Sequence, residues 1–66
     1  MKIYLNSKWV ELKSSNTIAE ILKELNIKPD GIAVAVDYQI VSKNNYEKTK
    51  INDGDKIEIV QAVQGG

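Results

Sequence analysis

Few side chains in this chain could do chemistry. It has no cysteine and no histidine. The thiolate that serves as nucleophile or metal ligand is therefore missing, and so is the imidazole that is the commonest general base. The hydroxyls of Ser14, Ser15 and Thr49 have no neighbouring base in the sequence to activate them. Asp53 and Asp55 flank Gly54, but a hard cation needs about six or more oxygens, more than this turn supplies. The remaining group is the last one. Val60-Gln61-Ala62-Val63-Gln64-Gly65-Gly66 leaves an apolar strand pattern and stops at two glycines.

Two readings of that end stand side by side. Glycine has no side chain to bury and keeps the most backbone freedom, so a Gly-Gly end can be a frayed tail or a cloning remnant. It can equally be a slender arm whose terminal carboxylate is the reacting group. A free C-terminal carboxyl has a pKa of roughly 3.3–3.7 and is ionised at neutral pH, so it is a poor electrophile until activated. Val60, Ala62 and Val63 stay apolar where the strand leaves the body. They are a candidate partner-binding surface; the other reading has Val63 folding back onto the sheet.

An arm needs a body to hold it. Sixty-six residues allow one domain, and a chain this short buries only ~60% of its unfolded surface. With 42% hydrophobic residues it is still expected to fold alone. Nine basic residues, all lysine, balance nine acids. Zero net charge and the lack of arginine argue against a nucleic-acid partner. No apolar run approaches the ~20 residues of a membrane span, and the amino terminus lacks a secretory-leader pattern. The expected compartment is the cytoplasm, and the expected free state a monomer.

Alternation in Met1–Leu5 and again in Trp9–Leu12, around a polar Asn6-Ser7-Lys8 turn, predicts a hairpin. Thr17 with Glu20 reads as a capping box, each side chain satisfying an N–H of the first helical turn. Ile18, Ile21, Leu22 and Leu25 form the apolar stripe of a helix that should end near Asn26, because Pro29 disfavours helical geometry at Lys28. Ile32–Val36 is a continuously apolar strand, Asp37-Tyr38-Gln39 a turn, and Ile40-Val41 a short strand. Ser42–Lys50 reads as a solvated connection in which Tyr46 plugs the core edge, its hydroxyl in water. Asn52-Asp53-Gly54-Asp55 is a turn, and Lys56–Val60 a last strand with Ile57 and Ile59 inward. The order predicts an α+β roll, one helix on a mixed sheet of about five strands, with first and last strands as parallel central neighbours.

Particular stretches carry a family resemblance. They are Thr17-Ile18-Ala19-Glu20-Ile21-Leu22, Val34-Ala35-Val36-Asp37 with Ile40-Val41 after it, Asp53-Gly54-Asp55-Lys56-Ile57-Glu58-Ile59-Val60, and the terminal Gly65-Gly66. Together, and over nearly every element, they resemble the ubiquitin-like sulfur carriers, most closely the ThiS family of the thiamin pathway. The resemblance implies a β-grasp roll over residues 1–66, with 63–66 as a flexible tail. It departs at Ser42-Lys43, where the family often has Pro-Arg, at Tyr46, where it often has Trp, and at Gln64, where a glycine frequently stands. Gln64 and Gly65 would thread the partner, and Gln64 bears on how they do so.

The resemblance further implies a chemistry performed by others. A ThiF-type adenylating enzyme would use MgATP to form an acyl-adenylate at Gly66. Sulfur originating from a cysteine desulfurase would displace AMP and leave a thiocarboxylate. That group would supply a ThiG-type thiazole synthase. The chain would itself be no enzyme and bind no cofactor. Two related readings remain: the small subunit of molybdopterin synthase, which runs longer, and a protein modifier joined to target lysines through Gly66. A third is a passive interaction domain.

Overall fold

The computed structural model describes residues 1–61. Two antiparallel hairpins, one helix and a last strand account for it. The elements are β1 (Lys2–Leu5), β2 (Lys8–Glu11), α1 (Ile18–Glu24), β3 (Ile32–Val36), β4 (Gln39–Val41), a 3₁₀ turn (Lys43–Asn45) and β5 (Lys56–Gln61). The sheet order is β2-β1-β5-β3-β4. β1 and β5 run parallel at its centre, with Tyr4 opposite Lys56 and Leu5 opposite Ile57, as the sequence predicts.

Both hairpins turn in two residues rather than three. Asn6 (φ 48) with Ser7 (φ 69), and Asp37 (φ 48) with Tyr38 (φ 71), all take the left-handed region. Paired positive φ angles make two-residue turns that match the right-handed twist of the flanking strands. Lys8 and Gln39, expected in the turns, therefore begin strands.

The helix starts as expected and stops for a different reason. Thr17 Oγ1 accepts from Glu20 N at 3.2 Å, but the Glu20 carboxylate reaches back to Asn16 N at 2.9 Å rather than to Thr17. At the other end Asn26 turns left-handed (φ 59). Ile27 N donates to Leu22 O at 2.8 Å and Asn26 N to Lys23 O at 3.2 Å. This Schellman closure consumes the last carbonyls, so the helix ends at Glu24, well short of any influence from Pro29.

The stripe Ile18, Ile21 and Leu22 meets Ile3, Val34 and Ile57 from the sheet in one core, joined by Leu12, Tyr46 and Ile51. Tyr46 reaches it from the polar connection, as expected, and Ile51 just after that connection joins it too. Tyr46 is only 4% exposed and Ile51 3%. Ile18 N donates to Thr49 O at 3.2 Å and Ala19 N to Tyr46 O at 3.0 Å, which ties the segment along the first turn of the helix. No alternation marks this region because an irregular chain folded under a helix has no period to show.

Candidate functional site

The site is built on β5, which leads into the residues that could react. Its two edges are secured differently. Along one edge β3 pairs with it throughout, from Val36 opposite Ile57 to Ile32 opposite Gln61. Along the other, β1 runs out at Leu5, and the Asn6 side chain continues the ladder. Ile59 N donates to Asn6 Oδ1 at 2.8 Å and Asn6 Nδ2 donates to Ile59 O at 3.0 Å. A side-chain amide carries one donor and one acceptor side by side, so it imitates the next strand residue. β5 is thereby held on both sides up to Ile59. Five residues follow Gln61 in the sequence, a length that reaches at most ~18 Å when extended.

Val60, expected to bind a partner, lies opposite Ala33 and is 58% exposed. The other proposed site residues, Ala62, Val63, Gln64, Gly65 and Gly66, lie outside the described residues, as does the fold-back expected of Val63. The sheet face away from the helix carries Val60 with Ala33, Ala35 and Ile40, and also Glu58 and Lys56. Ile40, opposite Ala35, is 75% exposed. Trp9, opposite Tyr4, is 63% exposed, and the two rings tilt together with centroids 5.1 Å apart. Tyr38 is 75% exposed, and the Lys56 ammonium donates to its hydroxyl while lying 4.5 Å from the ring centroid. The hydroxyl raises the pKa of Lys56 above its ordinary value, which keeps the ammonium charged. Sequence pattern identified Val60 but not Tyr38 or Asn6. A polar turn signals only that the chain reverses; its partners on β5 are more than fifty residues away in the case of Asn6.

Several acids have structural partners. Asp53 Oδ1 accepts from Lys2 N at 2.7 Å and Asp55 Oδ2 from Asn52 N at 2.8 Å. They pin the turn at Gly54 (φ 88) against β1. Glu24 accepts from the Ser15 hydroxyl and from Lys13 N, and the Ser15 bond first holds its pKa below the usual value. Lys43 pairs with Asp30 and lowers the pKa of that carboxyl. Among the described residues no three acids converge as a metal site. A groove of about 680 Å³ lies on the helix side, between Leu22, Ile27, Pro29 and Tyr46. Lys23, Lys28, Lys43 and Glu47 also line it.

Comparison with known proteins bears directly on this arrangement. The model of the ThiS family matches residues 3–66. The chain belongs to the ThiS family. It is 30% identical over 66 residues to the sulfur carrier protein ThiS of Escherichia coli K12, covering all of both chains. It is also 36% identical over 66 residues to a thiazole synthase of Paramagnetospirillum magneticum, of which it spans only 20%. The crystal structure of a ThiS thiamine biosynthesis protein from Geobacter metallireducens superposes with a TM-score of 0.87 at 20% identity, covering both chains fully. The ubiquitin-like β-grasp fold expected from the sequence is thus the observed one.

Proposed function

We propose that this chain is a sulfur carrier for thiamin thiazole synthesis, with the Gly66 carboxyl as the carrying group. The observation that carries the reading is the match of the whole chain to a sulfur carrier protein over the full length of both, combined with a sheet that holds β5 on both sides up to Ile59.

The chemistry follows from what a carboxylate lacks. An adenylating enzyme of the ThiF type attaches AMP from MgATP to the Gly66 carboxylate and releases pyrophosphate. AMP is a good leaving group where oxide is not. The terminal sulfur of a persulfide made by a cysteine desulfurase then attacks the acyl carbon and expels AMP, giving an acyl disulfide. A thiol reductant cleaves the S–S bond to release the thiocarboxylate and is itself oxidised to a disulfide. The chain contributes position only. Gly65 and Gly66 have no β-carbon to widen the arm inside an enclosed site. Ordering such an arm costs about 1–2 kcal/mol per residue, which burial of the open sheet face offsets at about 25 cal/mol per Å².

The acceptor of the sulfur is a thiazole synthase of the ThiG type. In support, two thiazole synthases each contain a stretch resembling this entire chain as a fifth of their length. In those proteins a carrier-like segment and the synthase share one polypeptide. The face that exposes Val60 and Ile40 suits successive docking on both enzymes.

Intact mass of the protein taken from cells making thiamin tests the reading. A species heavier by the difference between sulfur and oxygen, mapped to Gly66, is expected. Its absence under conditions where thiazole synthesis depends on this chain would overturn the proposal.

A further inference from the structure

Resting on that reading, we infer that Tyr38 is a specificity-determining contact for the adenylating enzyme, held ready at the expense of backbone strain.

The two hairpin turns of the molecule make the case. In each, a polar residue at φ 48 precedes a residue deep in the left-handed region, Ser7 at φ 69 and Tyr38 at φ 71. This turn favours glycine or asparagine at its centre, and a bulky residue there is a genuine outlier. Ser7 places a small group at its strained position. Tyr38 places a large ring, 75% exposed. Burial therefore gives no return for the strain.

Nor do its local contacts explain it. The ring and hydroxyl meet the Lys56 ammonium at the surface, and exposed contacts of this kind are weak. What the contacts do supply is a fixed orientation. Asp37 N donates to Lys56 O at 2.8 Å, and Lys56 N donates to Asp37 Oδ1 at 3.1 Å. The turn is thus tied to the first residue of β5, and the Lys56 side chain returns to the ring. An exposed aromatic with a polar tip has few rotatable bonds to immobilise on docking, here on a turn whose backbone is tied down, and such residues are enriched among those that dominate binding energy.

The occupant follows from continuity. Lys56 opens the strand whose far end delivers the tail. The strand's six residues span ~20 Å, which is within the breadth of one standard protein interface. An enzyme that accepts the Gly66 carboxylate and rests on Val60 extends along β5 to Tyr38. The surface that fits it is an apolar recess edged by a carboxylate, which would receive the ring and the adjacent Lys56 ammonium together.

The test pairs folding with ATP–pyrophosphate exchange, using the full chain and its adenylating enzyme. Tyr38→Gly removes both strain and ring. Its denaturation midpoint is expected to equal or exceed that of the parent, while its KM in exchange rises about tenfold with kcat little changed. Tyr38→Phe should retain nearly all of the parent's KM. Ser7→Gly, which relieves the matching strain in the other hairpin, should leave KM unchanged. An unaltered KM for Tyr38→Gly would overturn the inference, as would a lowered midpoint, which would make the residue structural, or an equal KM rise with Ser7→Gly. If the parent itself supports no exchange, the carrier reading fails and this inference fails with it.

Discussion

The two faces of the sheet are made by alternate residues of the same five strands, yet they differ in almost every physical respect. Toward the helix, Ile3, Val34 and Ile57 are at most 1% exposed. Toward solvent, Trp9, Ile40 and Val60 are each more than half exposed, and so is Tyr38 in the turn between β3 and β4. A chain of this size has too little polar surface to avoid some exposed apolar groups. Three large ones on a single face, with a fourth in the adjoining turn, are a different matter. The first face holds the fold together. The second is available because the first suffices.

Substitutions on the two faces should separate these roles. The largest effect is expected at Ile57. Truncation to alanine leaves a cavity under the helix and should cost about 2–5 kcal/mol in denaturant unfolding. Val60→Ala, three residues along the same strand, should fall within about 0.5 kcal/mol of the parent. Comparable losses at both positions would erase the distinction between the faces.

Next in size is the tail. Gly66→Ala should leave the denaturation midpoint unchanged and reduce ATP–pyrophosphate exchange about a hundredfold, since small displacements of a reacting group cost rates of that order. Equal exchange by the two proteins would mean that the terminal carboxyl is not the group presented.

A smaller effect is expected from Asn6→Ala. Losing the amide that clasps Ile59 should lower stability by about 1 kcal/mol. It should also speed hydrogen exchange at the Ile59 amide more than at Val34. Uniform acceleration would show that the clasp holds nothing locally.

The smallest concerns acid. Glu24 has its pKa lowered from 4.5, first by the Ser15 hydroxyl and then by Lys13 N. A carboxyl depressed in the folded state contributes stability above its unfolded pKa and loses it as pH falls through the folded value. Glu24→Gln should therefore be slightly less stable than the parent at neutral pH, with the gap closing in acid. A gap that is constant with pH would show that ionisation of Glu24 is irrelevant to folding.

Much of this was legible in the residues, for reasons that also mark where legibility stops. Alternation located β1, β2 and β5, because a strand with one face buried must repeat every second residue, and a continuous apolar run located β3. The spacing of Ile18, Ile21 and Leu22 located the helix in the same way. The turn at Gly54 was readable because a left-handed glycine leaves a local signature. Tyr46 could be singled out as the one aromatic in a polar segment. Ile51 was harder, because it enters the core from an irregular stretch where no spacing separates it from an exposed residue. The helix end was placed nearly correctly but for the wrong cause, since Asn26 closes it before Pro29 can act. At the site, Val60 was identifiable because it is apolar where a strand should be leaving. Asn6 was not, because its role depends on a strand that the chain supplies only at its other end.

Placing the last strand between β1 and β3 has a consequence for synthesis on the ribosome. The first hairpin must wait for nearly the whole polypeptide before its central neighbour exists, and closing so long a loop is entropically unfavourable and slow. A nascent or prematurely stopped chain would have a hole in the middle of its sheet and a helix with only part of its bed. The sheet closes only once β5 has been made.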